Sequence, residues 1–153
     1  MLGLLREEHA SPEDQIRSVI ADRAEAVESK DAERLVNCYA PDAVVCDLAP
    51  PLRHFPDEVL DPGSARAWFA TWHDGMKYEL HDLTVVAETE VAFAHGLARL
   101  SGTPRDAAEA TALWFRTTLC LRKVDGDWLI SHEHDSTPFY MNGSFRAAVD
   151  LRP

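Results

Sequence analysis

The pair Asp125-Gly126 constrains this chain more than any other two residues, because it sits between two runs rich in Leu, Trp, Phe, Ile and Thr. An Asp-Gly step so placed is the signal of a tight β-hairpin, whose turn needs residues that tolerate positive φ. The stretch from Thr111 to Pro138 is therefore expected to be two long antiparallel strands. Along the second, a period of two puts Trp128, Ile130, His132, His134 and Ser136 on one face and Leu129, Ser131, Glu133 and Asp135 on the other. The first face begins apolar and ends in two imidazoles, the pattern of an inner face running from core into a pocket. The second ends in carboxylates and is expected to be wet. A two- or four-residue loop opposes Lys123 to Trp128 and adds Phe115, Thr117, Leu119 and Leu121 to the histidine face. A three-residue loop with a bulge would put Trp114, Arg116, Thr118 and Cys120 there instead. The first register is preferred, since it joins two apolar faces and leaves Arg116 outside, near Glu133 and Asp135.

Upstream the chain reads as helices. Ser11-Pro12-Glu13-Asp14 supplies a cap hydroxyl, a proline in the first turn and early acid. Ile16, Val19, Ile20, Ala24 and Val27 then form one apolar stripe. Asp31 is expected to cap a second helix running through Tyr39 to a stop at Pro41, and a short β-prone run follows at Ala43 to Leu48. The segment with Pro50, Pro51 and Pro56 reads as a loop bordering any cavity, and Asp61-Pro62 opens a third helix, Gly63 to His73. Residues 77–87, 91–102, 111–123 and 127–136 are expected to be four successive strands. Three helices around one short strand, then an antiparallel meander, make an α+β layout, and a bent sheet around helices makes a cone with one open end.

Composition narrows the function. At 153 residues the chain is expected to be a single domain, 1–153, with terminal arms at 1–10 and 139–153. A net charge of -11, with 15 basic residues among 26 acidic ones, argues against nucleic acid as a partner. No apolar run approaches the roughly 18 residues needed to span a bilayer, so no membrane partner is expected. The N-terminal MLGLLREEHA is too short and acidic for a signal peptide, and Cys38, Cys46 and Cys120 lack C-x-x-C spacing, which together suggest a cytoplasmic protein with reduced thiols.

The order of elements, with the segments DAERLVNCYAPDAVV and VDGDWLISHEHDSTPF, resembles the SnoaL-like and ketosteroid-isomerase-like branch of the NTF2-like superfamily. It is also similar to the association domain of calmodulin-dependent kinase II. The resemblance covers residues 12–138 and implies a cone of strongly bent mixed or antiparallel sheet around three N-terminal helices. The same cone serves isomerases, cyclases, dehydratases and non-catalytic assembly domains. The resemblance places Asp47, in VVCDLAPP, where ketosteroid isomerase has its general base. The oxyanion partners of that enzyme do not carry over: their positions fall near Arg23 and Leu119, so classical steroid isomerisation is not expected.

His132 and His134, roughly 6.5 to 7 Å apart by strand rise, are the first candidates, as acid and base poised near neutral pH with Asp47, or as structural histidines of a pocket that only binds. With a carboxylate they could form a facial triad, but spacing fixes no third ligand, so no metal and no cofactor is expected. Asp47 is either an inward base or an aspartate accepting backbone N–H bonds at the start of its loop. Trp68 and Trp72 are core or cavity wall, and Tyr39 and Tyr78 place hydroxyls in the pocket or simply pack. Arg116 is an anionic-ligand anchor or an outer-face partner, and Leu119 lines the floor. The expected function is cofactor-independent acid-base catalysis (isomerase, cyclase or dehydratase) on a small hydrophobic carbonyl-bearing molecule, in a homodimer formed through the outer sheet face with Trp114 and Cys120. The alternative is a non-catalytic ligand-binding or assembly module.

Overall fold

The computed structural model describes residues 10–153; the arm expected at 1–10 lies almost wholly outside them. Helix α1 (Pro12–Glu28) starts where Ser11 Oγ accepts the Asp14 N–H at 3.1 Å. Its stripe buries Ile16, Ile20 and Val27, each worth about 1.5–3 kcal/mol of removal from water. Helix α2 (Ala32–Val36) is capped by Asp31, which accepts from Arg34 N at 3.1 Å. It ends earlier than its sequence suggests: Tyr39 opens strand β1 (Tyr39–Cys46), because pairing beside the last strand outweighs the helical pattern there. Two short helices follow, α3 (Pro56–Val59), which the proline-rich sequence hides, and α4 (Pro62–Phe69), which stops four residues before His73.

Strands β2 (Lys77–Ala87), β3 (Val91–Gly102), β4 (Thr111–Val124) and β5 (Asp127–Ser136) form the expected meander. The sheet order is β1-β5-β4-β3-β2, with β1 parallel to β5 and every other pair antiparallel. A bulge between His81 and Thr84 bends β2 around Gly96, where an added Cβ would lie 2.8 Å from the His81 carbonyl oxygen. The result is an open, mixed sheet curved around the helices in an α+β cone.

The core has two halves. Ile16 and Ile20 of α1 pack with Leu119, Leu121, Trp128 and Ile130 in one; Val27 packs with Phe69, Met76, Tyr78 and Phe115 in the other. Arg23 lies between them on the same helix, and it is only 8% exposed.

The hairpin turn is as expected. Val124 opposes Asp127 across a two-residue loop with φ 50° at Asp125 and 88° at Gly126, and Lys123 opposes Trp128. Phe115, Thr117, Leu119 and Leu121 face inward. Four residues past Asp127, however, a bulge breaks the alternation. Leu121 pairs Ile130 while Cys120 pairs His132, so Ser131 is the extra residue, its hydroxyl donating to the Cys120 carbonyl at 3.2 Å. Every side chain beyond it changes face. Glu133 and Asp135 point inward, 2% and 8% exposed; His132 and His134 point outward. The expectation that the two histidines face a pocket and the two carboxylates face water is thereby reversed.

Candidate acid-base site in the cone

Inside the cone is a cavity of about 600 Å³. Its walls are apolar, with Val27, Leu35, Val45, Val59, Trp68 and Phe115 among them, and its polar groups gather at the floor and at the mouth.

The floor is built around Arg23. The helical stripe that buries Ile20 and Val27 carries this guanidinium into the interior, where an unpaired charge would be prohibitively costly. It donates from Nη2 to Glu133 at 2.8 Å and from Nε to the Tyr39 hydroxyl at 2.9 Å, and its guanidinium sits 5.0 Å from the Tyr78 ring centre. Tyr39 in turn donates to Glu133 at 2.7 Å. Burial alone would push the Glu133 carboxyl up, but the Arg23 charge and hydrogen bonds from Asp135, Tyr39 and Arg23 hold it below the ordinary carboxylate range.

Asp135, two residues on and on the same face, goes the other way. Burial first, then the Glu133 charge and the hydrogen bond to Glu133, push its pKa up to about 9, against the opposing pull of Arg23. At neutral pH one carboxyl is thus ionised and paired, and its neighbour is a neutral acid. Asp135 Oδ1 and the Oγ1 of Thr117, its cross-strand partner, are both buried without a hydrogen-bond partner among the described residues. The floor therefore offers a proton donor and unsatisfied oxygens beside a lipophilic space.

At the mouth, the proline-rich loop is pinned to β1 by paired backbone bonds between His54 and Val45, 2.7 and 3.1 Å. This holds the half-buried His54 ring between Glu58, bonded to its Nδ1, and Asp47, whose Oδ2 lies 3.3 Å from Nε2. The Glu58 hydrogen bond, then the Asp47 and Glu58 charges, raise the His54 pKa against partial desolvation. Asp47 is exposed and accepts the Ala49 N–H at 3.0 Å, so it takes the second of its two sequence readings, at the rim.

Of the other candidates, Tyr39, Tyr78 and Trp68 line the cavity. Trp72 does not: it packs against Gly102 and bridges to Pro104. Leu119 is core rather than lining, and Arg116 lies on the outer face, bonded to the Ser136 hydroxyl at 3.2 Å instead of to Glu133 or Asp135. Glu133, Asp135, His54 and Glu58 were missed as site residues. The signal that was available is Arg23, seven residues after Ile16 on the apolar stripe: a cation on a buried face demands an inward carboxylate.

The family model for the SnoaL-like domain matches residues 16–140. The chain belongs to the SnoaL-like family, within the NTF2-like superfamily. Among solved structures, this SnoaL-like chain is similar to an NTF2-like protein of unknown function from Pseudomonas putida, at 30% identity over 92% of this chain and 96% of the other, with a TM-score of 0.80. A scytalone-dehydratase-like protein from Novosphingobium aromaticivorans matches at 15% identity, covering 87% and 88%, TM-score 0.71. A ketosteroid isomerase-like protein from Erwinia carotovora matches at 18%, covering 84% and 97%, TM-score 0.69. The last two likenesses show the fold alone. No curated protein matches the sequence. No described helix of the SnoaL-like chain is long and apolar enough to cross a membrane.

Proposed function

We propose that the cavity takes a small hydrophobic carbonyl-bearing molecule and performs acid-base chemistry on it without a cofactor, as an isomerase, cyclase or dehydratase. The observation that carries this reading is Asp135: a buried carboxyl with a pKa of about 9 and one unpartnered oxygen, in an otherwise lipophilic space. A carboxylic acid kept neutral at pH 7 donates a hydrogen bond to a carbonyl oxygen, or a proton to a leaving hydroxyl, where charge develops. Glu133 is fully engaged by Arg23 and Tyr39, so it sets the state of Asp135 rather than acting as the base. The second acid-base group in this reading is His54 at the mouth, held between Glu58 and Asp47. His132 and His134 have no part in it.

The test is deuterium incorporation next to the carbonyl, followed by NMR in D2O, over a panel of small cyclic ketones and hydroxyketones. Asp135→Asn and His54→Gln are each expected to slow exchange by about 10²- to 10⁴-fold. Ligands that bind in the cavity but neither exchange nor dehydrate would instead establish the binding-module alternative. We take the protein to act in the cytoplasm, with its three cysteines outside any disulfide, and to pair as a homodimer through the outer sheet face, where Phe93 is 45% exposed and Trp114 packs at a tilt against His81. Light scattering that returned a monomer mass would remove the dimer.

A further inference from the structure

On the outer face of the sheet, away from the cavity, Cys46, His132 and His134 place one ligand atom each within 4.8 Å of one another. Their convergence follows from the register. Cys46 on β1 is the parallel partner of His134 on β5, and Val44 is the partner of His132, so the three side chains leave the same side of two adjacent strands. Ser131 is what makes this so, since without the change of face at the bulge the imidazoles would point inward.

A second observation, independent of the clustering, favours ligation. His132 Nδ1 lies 2.7 Å from the Val44 carbonyl oxygen. A carbonyl only accepts, so Nδ1 carries the proton and Nε2 keeps its lone pair. This is the arrangement that fixes the tautomer and ring orientation of metal-binding histidines. The chemistry of the set is selective. One thiol and two imidazoles, with no carboxylate among them, suit a borderline-soft ion and disfavour Mg²⁺ and Ca²⁺. Zinc needs bonds of about 2.0–2.3 Å to such ligands, so the three atoms, now within 4.8 Å of one another, close toward a common centre on binding.

We propose that Cys46, His132 and His134 form a zinc site whose fourth position, on the side of the exposed His134, is left to water. Binding converts the Cys46 thiol to a zinc-bound thiolate and releases its proton to solvent. The site is separate from the acid-base chemistry proposed for the cavity, and neither depends on the other.

Protein prepared without a polyhistidine tag is titrated with Zn²⁺ against a chromophoric chelator and, separately, with Co²⁺. The expected result is about one Zn²⁺ per chain and a thiolate-to-cobalt charge-transfer band in the near ultraviolet. Cys46→Ser removes the band and weakens zinc binding on the order of 100-fold, and His132→Gln and His134→Gln each weaken it by about 10-fold or more. Cys120→Ser, altering the neighbour of His132 on β4, leaves both unchanged. Because His134 is exposed, His134→Gln keeps the wild-type melting temperature, which separates lost ligation from lost fold. Absence of stoichiometric binding, or a band that survives Cys46→Ser, overturns the proposal.

Discussion

The two faces of β5 carry four ionisable groups within four residues, and they are held in opposite ways. Inside, Glu133 and Asp135 are buried, and their protonation is settled by that burial, by each other and by one guanidinium reaching across from α1. Outside, His132 and His134 stand in or near solvent, with a thiol as neighbour. Judged by residue type alone, imidazoles belong nearer the interior than carboxylates. The structure does the reverse, because a buried Arg23 makes inward carboxylates favourable and the bulge at Ser131 delivers them.

The comparison breaks most severely at Arg23. Arg23→Met leaves Glu133 buried with its countercharge gone, and removing one partner of such a pair costs about 3–5 kcal/mol. Chemical denaturation is expected to show that loss, and Arg23→Met with Glu133→Gln is expected to recover most of it. If the single variant were nearly as stable as wild type, Glu133 would not be ionised in the folded protein, and the contrast between the two inner carboxyls would disappear.

Much of this was legible before the structure. The cap at Ser11, the Asp-Gly turn, the Lys123–Trp128 register and the ends of the four long strands all follow from local rules, and they hold to within a residue. The face of Glu133 and Asp135 did not follow. A bulge has no obligatory glycine or proline to announce it, and Ser131 sits in a run that alternates perfectly well without it. What selects the bulge is distant in sequence: Arg23 on α1, and β1 docking in parallel on the far side of β5. Tyr39 failed for a related reason, since its helical neighbourhood is overridden by that same β1–β5 pairing. His54 carries no signal in the sequence because its constellation, Asp47 and Glu58, exists only once the proline-rich loop is pinned to Val45.

Asp135 gives the next effect, in both stability and activity. Its folded pKa, about 9, lies above the ordinary aspartate value of 3.8, so folding takes up a proton between those limits. The stabilisation is fully present below the unfolded value, is lost as pH rises toward about 9, and changes no further above that. Unfolding free energies measured from pH 6 to 9 are expected to fall with pH in the wild type and to lose most of that slope in Asp135→Asn, which mimics the neutral acid. Turnover that uses Asp135 as acid is expected to decline above pH 9 for the same reason, whereas a flat stability profile in the wild type would mean that Asp135 is ionised throughout.

Deleting Ser131 sharpens the comparison and is expected to have the smallest effect. With Ser131 gone, Ile130 still faces in, His132 takes the next outward position, and Glu133 and Asp135 keep their inward ones, because a bulge removed restores simple alternation with the same outcome on each side. What is lost is the Ser131 hydroxyl bond to the Cys120 carbonyl and some local twist, a cost on the order of 1 kcal/mol. Inserting a residue beyond the bulge, between His132 and Glu133, has the opposite outcome as long as the bulge is kept: it turns Glu133 outward, away from Arg23, and leaves the Arg23 charge unpaired in the core. A deletion that is tolerated beside an insertion that unfolds the protein would show that the chain is selected for which face the carboxylates take, and that the bulge itself is only one way of getting there. Equal damage from both would mean that the bulge matters for the bend it puts in β5, and that the faces are set elsewhere.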